Sequence, residues 1–288
     1  MKYHVFYNPL SANSTGKKAI KKLIKHLEGQ EAEYIDMLEV EDFGEILNNI
    51  PENDRIVLAG GDGTLNEFIN RTVNIDHRQQ IDFFPMGSGN DFVRDLGRKK
   101  LDYVENINRY MKDLPVVSVN GKKRFFLNGI GYGIDGYCCE IADEKKKKSA
   151  GSVNYSLIAL KGLLGDFSPR DAYITVDGKE YFHKNAWLAP TMNGRFFGGG
   201  VMVAPGQDRL RSDGKVSVVC MYGVGRITCL LRFSSLFSGK HVEKYKEMCS
   251  VYEGHEINVR FDRPCALQID GETVLDVTSY SVRAGIQR

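Results

Sequence analysis

Arg55-Ile56-Val57-Leu58-Ala59-Gly60-Gly61-Asp62-Gly63-Thr64-Leu65-Asn66-Glu67 decides the fold of this chain. Arg55 to Ala59 is a short strand-type run, and Leu65 to Val73 reads as a helix, so the segment is strand, glycine turn, helix. Glycines let the backbone take positive φ and approach a ligand closely, and the N–H groups opening a helix favour an anion. Phosphate is the natural guest. Asp62, inside the turn, would repel that phosphate unless a cation stood between them, which points to Mg²⁺, held partly through water as that ion prefers.

Outward from this segment the pattern repeats. Upstream lie a strand at Tyr3 to Tyr7, a helix from about Thr15 to Leu27, an extended stretch at Glu33 to Met37 and a helix across Val40 to Asn49. Downstream, the strand Ile81 to Pro85 runs through a second small-residue turn, Gly87-Ser88-Gly89-Asn90, into a helix over Asp91 to Leu96. Alternation of this kind predicts βαβ units and a parallel sheet covered by helices.

From about Leu114 the texture changes to closely spaced strands. Asn120-Gly121, Asp177-Gly178 and Asp270-Gly271 stand at turns between apolar runs, the first two as strong hairpin signals. An antiparallel β domain, sandwich or barrel, is expected, with Lys145 to Leu164 as its helical exception. At 288 residues, two cores are expected rather than one. The expected division is an α/β domain over 1–115, completed by a returning segment 278–288, and a β domain over 116–277.

Composition removes several classes of function. The net charge of +2 is too small for a nucleic-acid protein. The six cysteines match neither a zinc spacing nor a redox Cys-x-x-Cys, and read as free thiols of a reducing compartment. The N-terminus enters a strand directly, without signal-peptide features, and no apolar run reaches bilayer length. A cytoplasmic protein is expected, with only peripheral membrane contact. Gly131-Tyr132-Gly133-Ile134-Asp135-Gly136 satisfies G-x-G-x-x-G, yet it falls in the β-rich half and lacks the acidic residue a dinucleotide fold places about 20 positions on. Gly16-Lys17-Lys18 lacks the first glycine and final hydroxyl of a P-loop, and protein-kinase and serine-hydrolase signatures are absent.

The motifs taken together resemble the catalytic domain of diacylglycerol kinases and their compact bacterial relatives. The residues carrying the resemblance are Asn8-Pro9 with Ser11, Gly60 to Glu67, and Pro85 to Phe92 with Arg94 and Gly97. It continues through Asn128 to Gly136, Asn193 to Gly200, Ala204-Pro205, Ser212-Asp213-Gly214 and Gln268-Ile269-Asp270-Gly271-Glu272, nearly the whole chain. The resemblance implies an N-terminal α/β nucleotide domain like that of NAD kinases and phosphofructokinases, a C-terminal β-sandwich, and a cleft between them.

It also implies roles. ATP would be held by Asn8, Gly61, Asp62, Gly63, Thr64, Leu65, Asn66, Glu67 and Ser88, with Asp62 organising Mg²⁺ and Asp91 a second member of that network. Glu272 would accept the proton of a lipid hydroxyl, and a further structural Mg²⁺ would take the Asp213 carboxylate with the carbonyls of Leu210 and Lys215. Relatives often carry a threonine-rich stretch after the second strand, where this chain has Tyr34-Ile35-Asp36-Met37.

The expected reaction moves the γ-phosphoryl group of ATP to a lipid hydroxyl, with diacylglycerol as acceptor and phosphatidic acid as product. A kinase acting on a sphingoid base, ceramide, phosphatidylglycerol or NAD stays open, as does a regulator that binds nucleotide or lipid without catalysis. A lipid substrate places the enzyme at the inner face of the membrane, with Lys145 to Lys148 and the Arg94 to Lys100 cluster as docking faces. Nucleic acid is not an expected partner; a homodimer is left open.

Overall fold

The computed structural model describes residues 1–11, 16–76, 78–99, 101–148 and 153–285, without the side chains of 16–19 and 156. Thr15, Lys100 and 286–288 lie outside the described residues, as do the side chains of Lys17 and Lys18. The chain divides into two compact units, Met1–Lys112 and Asp113–Arg288.

The first unit is α/β. Strands β1 (Tyr3–Tyr7), β2 (Ala32–Asp36), β3 (Arg55–Gly60) and β4 (Gln80–Pro85) form a parallel sheet in the order β2-β1-β3-β4. Between them run α1 (Gly16–His26), α2 (Phe43–Asn49), α3 (Asp62–Thr72) and, after β4, α4 (Asp91–Asp95). Ile56 to Gly60 are all buried, the continuous burial expected of a strand covered on both faces. On one side Val5 and Val57 pack with Leu23 of α1 and with Leu27 just beyond it. On the other, Phe6 meets Phe43 and Phe68, whose rings lie edge to face at 5.5 Å. Asp42 starts α2 by accepting the N–H of Gly44 at 2.7 Å.

The strand order reverses between β1 and β3. Ligands of open parallel sheets bind beyond the carboxyl ends of strands at such a reversal. Asn8 follows β1 there, and the first glycine turn follows β3.

The second unit is β-rich. It opens with β5 (Val116–Val119), β6 (Lys122–Phe125) and β7 (Gly129–Tyr132), then the helices α5 (Ile134–Lys148) and α6 (Tyr155–Lys161), the latter prolonged by a π turn over Gly162–Asp166. Next come β8 (Arg170–Val176), β9 (Lys179–Ala186), β10 (Thr191–Met192), β11 (Phe196–Phe197), β12 (Val201–Met202) and β13 (Val216–Met221). The short helices α7 (Arg226–Arg232) and α8 (His241–Lys244) precede β14 (Cys249–Gly254), β15 (Glu256–Ile269) and β16 (Glu272–Arg283).

Ten of these strands join in one antiparallel sheet, β14-β13-β10-β7-β15-β16-β5-β6, with β8 and β9 attached through β15. β15 pairs with β8 over Ile257 to Phe261 and with β7 over Leu267 to Ile269, and its ladder with β16 shifts register between Arg260 and Leu267. That irregularity lets one long strand serve two layers over a shared core containing Phe126, Tyr132, Val218, Val259, Phe261 and Tyr280. Tyr132 stacks on Phe261 with centroids 4.0 Å apart.

The hairpin signals are realised as turns with positive φ at both residues: 48° and 74° at Asn120-Gly121, 47° and 83° at Asp177-Gly178, 47° and 95° at Asp270-Gly271. Two expectations need correction. Residues 278–283 belong to β16 and pair with β5 and β15 inside the second unit, so they do not return to complete the first. The helical stretch starts at Ile134, not Lys145, because Gly133 at φ 100° ends β7 and the chain turns directly into α5. The G-x-G-x-x-G string thus does join strand to helix. Its last glycine serves packing: a Cβ on Gly136 would lie 1.9 Å from the Ala266 carbonyl oxygen of β15.

Candidate active site

In the first unit the two glycine turns lie against each other. A Cβ on Gly87 would fall 2.6 Å from the Cα of Gly61, and one on Gly61 would fall 3.1 Å from the Cα of Gly87. Met86 donates its N–H to the Gly60 carbonyl at 2.7 Å, which continues the β3–β4 pairing into the turns. Asn90 takes the left-handed conformation at φ 54° and turns the chain into α4.

Asp62 fastens this arrangement. Its two carboxylate oxygens accept the backbone N–H of Asp91 at 2.9 Å and of Phe92 at 3.0 Å, so the aspartate of the first turn caps the helix that follows the second. The start of α3 is treated differently. Gly61 stands at its N-cap with no side-chain cap hydrogen bond, leaving the helix opening to an anion.

The loop after β1 borders the same turn. Asn8 donates its N–H to Ala59 at 3.3 Å and accepts the Leu10 N–H on its side chain at 2.9 Å, while the hydroxyls of Ser11 and Thr64 are 3.2 Å apart. Gly63 has open space where a side chain would stand, and Ser88 is exposed at the tip of the second turn. Leu65 and Asn66 face inward: Leu65 is fully buried, and Asn66 accepts a hydrogen bond from Asn70 at 3.1 Å. Glu67 lies 3.7 Å from Arg71 on the next helical turn. Asp91 is buried, 3.9 Å from the Arg94 guanidinium. In the stretch that replaces the threonine-rich segment, Met37 is core and Asp36 accepts the Leu38 N–H at 3.0 Å.

In the second unit Glu272 starts β16 immediately after the Asp270-Gly271 turn. Its half-exposed carboxylate is ion-paired with Arg124 of β6. The turn itself is fixed from two sides. Asp270 accepts the N–H groups of Asn128 at 2.8 Å and Gly129 at 3.0 Å. Gln268 accepts the Gly271 N–H at 2.6 Å and donates to Asp135 at 2.9 Å. Burial pushes the Asp135 carboxyl up to about 7, with the Gln268 hydrogen bond acting in the opposite direction. No local signal in the sequence marks Arg124, Gln268 or Asp135, because their partners stand 148 residues away for Arg124 and 133 residues apart for Gln268 and Asp135.

The carboxylate expected to hold a structural cation has a cationic side chain as its partner. Asp213 is held by the Arg211 guanidinium through both oxygens, at 2.5 and 3.1 Å, and Arg211 reaches Glu253 at 2.8 Å as well. The Lys215 carbonyl accepts from Gln207 at 3.1 Å, and Leu210 donates its N–H to Asp208 at 2.9 Å. A guanidinium supplies the positive charge of this loop. Among the described residues no group of three or more His, Cys, Asp or Glu is placed to hold a metal.

Residues 2–118 match the diacylglycerol kinase catalytic domain, and residues 128–283 match the YegS C-terminal NAD kinase beta sandwich-like domain. The chain is 25% identical over 276 residues to a diacylglycerol kinase of Bacillus subtilis, covering 93% of this chain and 88% of that protein. It is 25% identical over 247 residues to a diacylglycerol kinase of Mycobacterium tuberculosis, covering 82% of this chain and 78% of the other. Its fold is shared with a crystal structure of a diacylglycerol kinase from Bacillus anthracis, with a TM-score of 0.62, 22% identity, and coverage of 99% and 94%.

Proposed function

We infer the activity from one premise: the chain belongs to the diacylglycerol kinase family, a catalytic domain joined to the YegS-type β-sandwich. It is an ATP-dependent lipid kinase, and its acceptor is the hydroxyl of diacylglycerol, which becomes phosphatidic acid. The observation that carries this reading is the Asp62 clasp, which holds two glycine turns together while leaving the opening of α3 without a side-chain cap.

The substrate is ATP with its magnesium. The α3 amides and the glycine backbone take the phosphates, and Asp62 faces the water shell of the metal. Ser88 and Asn8 border the nucleotide. The acceptor hydroxyl oxygen attacks the γ-phosphorus, the bond to the β–γ bridging oxygen breaks, ADP leaves, and the hydroxyl proton passes to Glu272. Positioning and charge neutralisation supply most of the rate in such transfers. Arg124 sets the direction of the Glu272 carboxylate.

The test is labelled ATP with a panel of dispersed lipid alcohols, diacylglycerol, sphingosine, ceramide and phosphatidylglycerol, followed by identification of the labelled product. Phosphatidic acid as the main product is expected. Label on another lipid replaces the acceptor; label on none, with ATP bound, leaves a regulator in place of an enzyme.

A further inference from the structure

Two short helices of the second unit present apolar residues to solvent on regular spacing. On α6 and its π turn, Leu157, Leu160 and Leu164 are 47%, 40% and 62% exposed, with Lys161 among them. Leu157, Leu160 and Lys161 stand at i, i+3 and i+4, one face of α6, and Leu164 follows on the π turn. Ile158, Ala159 and Leu163 on the opposite face are buried in the core beneath. On α7, Ile227 and Leu231, one turn apart, are 76% and 75% exposed while Cys229 is buried.

The two elements adjoin. The π turn packs on α7, and Arg226 donates to the carbonyls of Gly162 at 3.3 Å and Leu163 at 3.4 Å. Single exposed leucines are ordinary, but a contiguous apolar surface on a soluble chain marks a site of interaction. Its border supplies the second observation. The last turn of α5 is Lys145 to Lys148, all exposed, and the Lys146 ammonium lies 3.3 Å from the Tyr155 hydroxyl at the start of α6. Apolar side chains bordered by lysines are the composition of an interfacial helix on an anionic bilayer.

We propose that the α6–α7 surface is where the protein enters an anionic lipid bilayer. Leu157, Leu160, Leu164, Ile227 and Leu231 reach the boundary between headgroups and acyl chains, and the α5 lysines lie on the headgroup phosphates. The assignment rests on the lipid-kinase reading for its purpose, since a soluble kinase with an acyl-chain substrate has to work at that boundary. A second copy of the chain is the rival occupant, but four lysines at the rim of a self-pairing face would meet like charge.

The experiment is vesicle flotation of the full chain with phosphatidylcholine alone and with phosphatidylcholine containing phosphatidylglycerol. The wild type should float with the anionic vesicles and be released by salt. Ile227→Asp with Leu231→Asp should lower binding by about tenfold or more, and Lys147→Glu with Lys148→Glu should reduce it to the level on neutral vesicles. These exposed positions carry no core packing, and circular dichroism checks the fold. Phosphorylation of a short-chain, monomerically dispersed acceptor should be unchanged in both variants while activity on vesicle-borne acceptor falls in step with binding. Undiminished binding of the Asp double variant overturns the proposal, as does a concentration-dependent dimer abolished by the same change. Vesicle binding that responds to the variants in a chain that phosphorylates nothing upholds the docking face and rejects the kinase reading instead.

Discussion

The carboxylate of Asp62 accepts the backbone N–H of Asp91 at 2.9 Å, across 29 residues of sequence, and so makes the first glycine turn the cap of the helix behind the second. The aspartate expected to face a cation is therefore also a structural fastener. Asp62→Ala should abolish turnover and cost about 1–2 kcal/mol of stability through the lost cap. Asp62→Asn retains one acceptor oxygen and should lose turnover with a smaller change in thermal midpoint. Labelled-ATP assays beside thermal unfolding separate the two effects. A variant keeping more than about a tenth of the activity would leave Asp62 as a fastener alone.

Gly87 and Gly61 give a second measure of the same contact. A Cβ on Gly87 would meet the Cα of Gly61 at 2.6 Å and the Asn90 side-chain oxygen at the same distance, so backbone has to yield. Gly87→Ala should destabilise by about 1–3 kcal/mol and raise KM for ATP. Gly63→Ala, with open space at that position, should leave stability within about 1 kcal/mol while affecting ATP binding alone. Equal midpoints for the two variants would contradict the close approach.

Much of this was legible in the residues because the signals are local. Strand, glycine turn and helix follow one another within Arg55 to Thr72, and the Asn-Gly and Asp-Gly pairs declare their hairpins through the φ they tolerate. What could not be read depends on register. The bond from Asp91 to Asp62 exists only because β3 and β4 align Gly60 with Pro85. Asp213 looks like an open ligand in sequence, and only the folded loop returns Arg211 onto it. The start of α5 is hidden because Gly131, Gly133 and Gly136, which serve close packing, interrupt any helical pattern there.

Glu272 and Arg124 form the ion pair most directly tied to the proposed chemistry. Glu272→Gln should lower kcat by about a hundredfold or more and leave KM for ATP unchanged, as expected for a group that acts on the acceptor hydroxyl. Arg124→Ala should lower kcat less, because the carboxylate remains and only its direction is lost. A Glu272→Gln variant with native kcat removes the residue from the mechanism.

Arg211 stands where a cation was expected, which gives a test free of activity. It is the main cause holding the Asp213 and Glu253 carboxyls below their usual range. Carboxylates lowered in this way stabilise the fold above about pH 4 and lose that contribution as pH falls through their folded values. Arg211→Ala should therefore lower the thermal midpoint at neutral pH and lessen its further fall in acid. Chelator or added Mg²⁺ should leave the native midpoint unmoved. A midpoint that drops with chelator restores the metal at Asp213.

Asp135 titrates in the opposite sense. Its carboxyl accepts a hydrogen bond from Gln268 at 2.9 Å and lies so close to Gly131 that a Cβ there would overlap it. Burial pushes it up to about 7, above the value near 4 it has in an unfolded chain. Between those values the folded protein binds the extra proton, so the stabilising contribution is complete below about pH 4 and is lost as pH rises through 7. Asp135→Asn has no such proton to lose. Its thermal midpoint should gain on that of the native protein as pH is raised from 5 to 8, and parallel profiles would show that the carboxyl is not held neutral. Because Gln268 also holds the Gly271 N–H, ionisation of Asp135 pulls on the turn that carries Glu272. The kcat profile of the native protein should therefore bend near pH 7, and the bend should vanish in Asp135→Asn while KM for ATP stays constant.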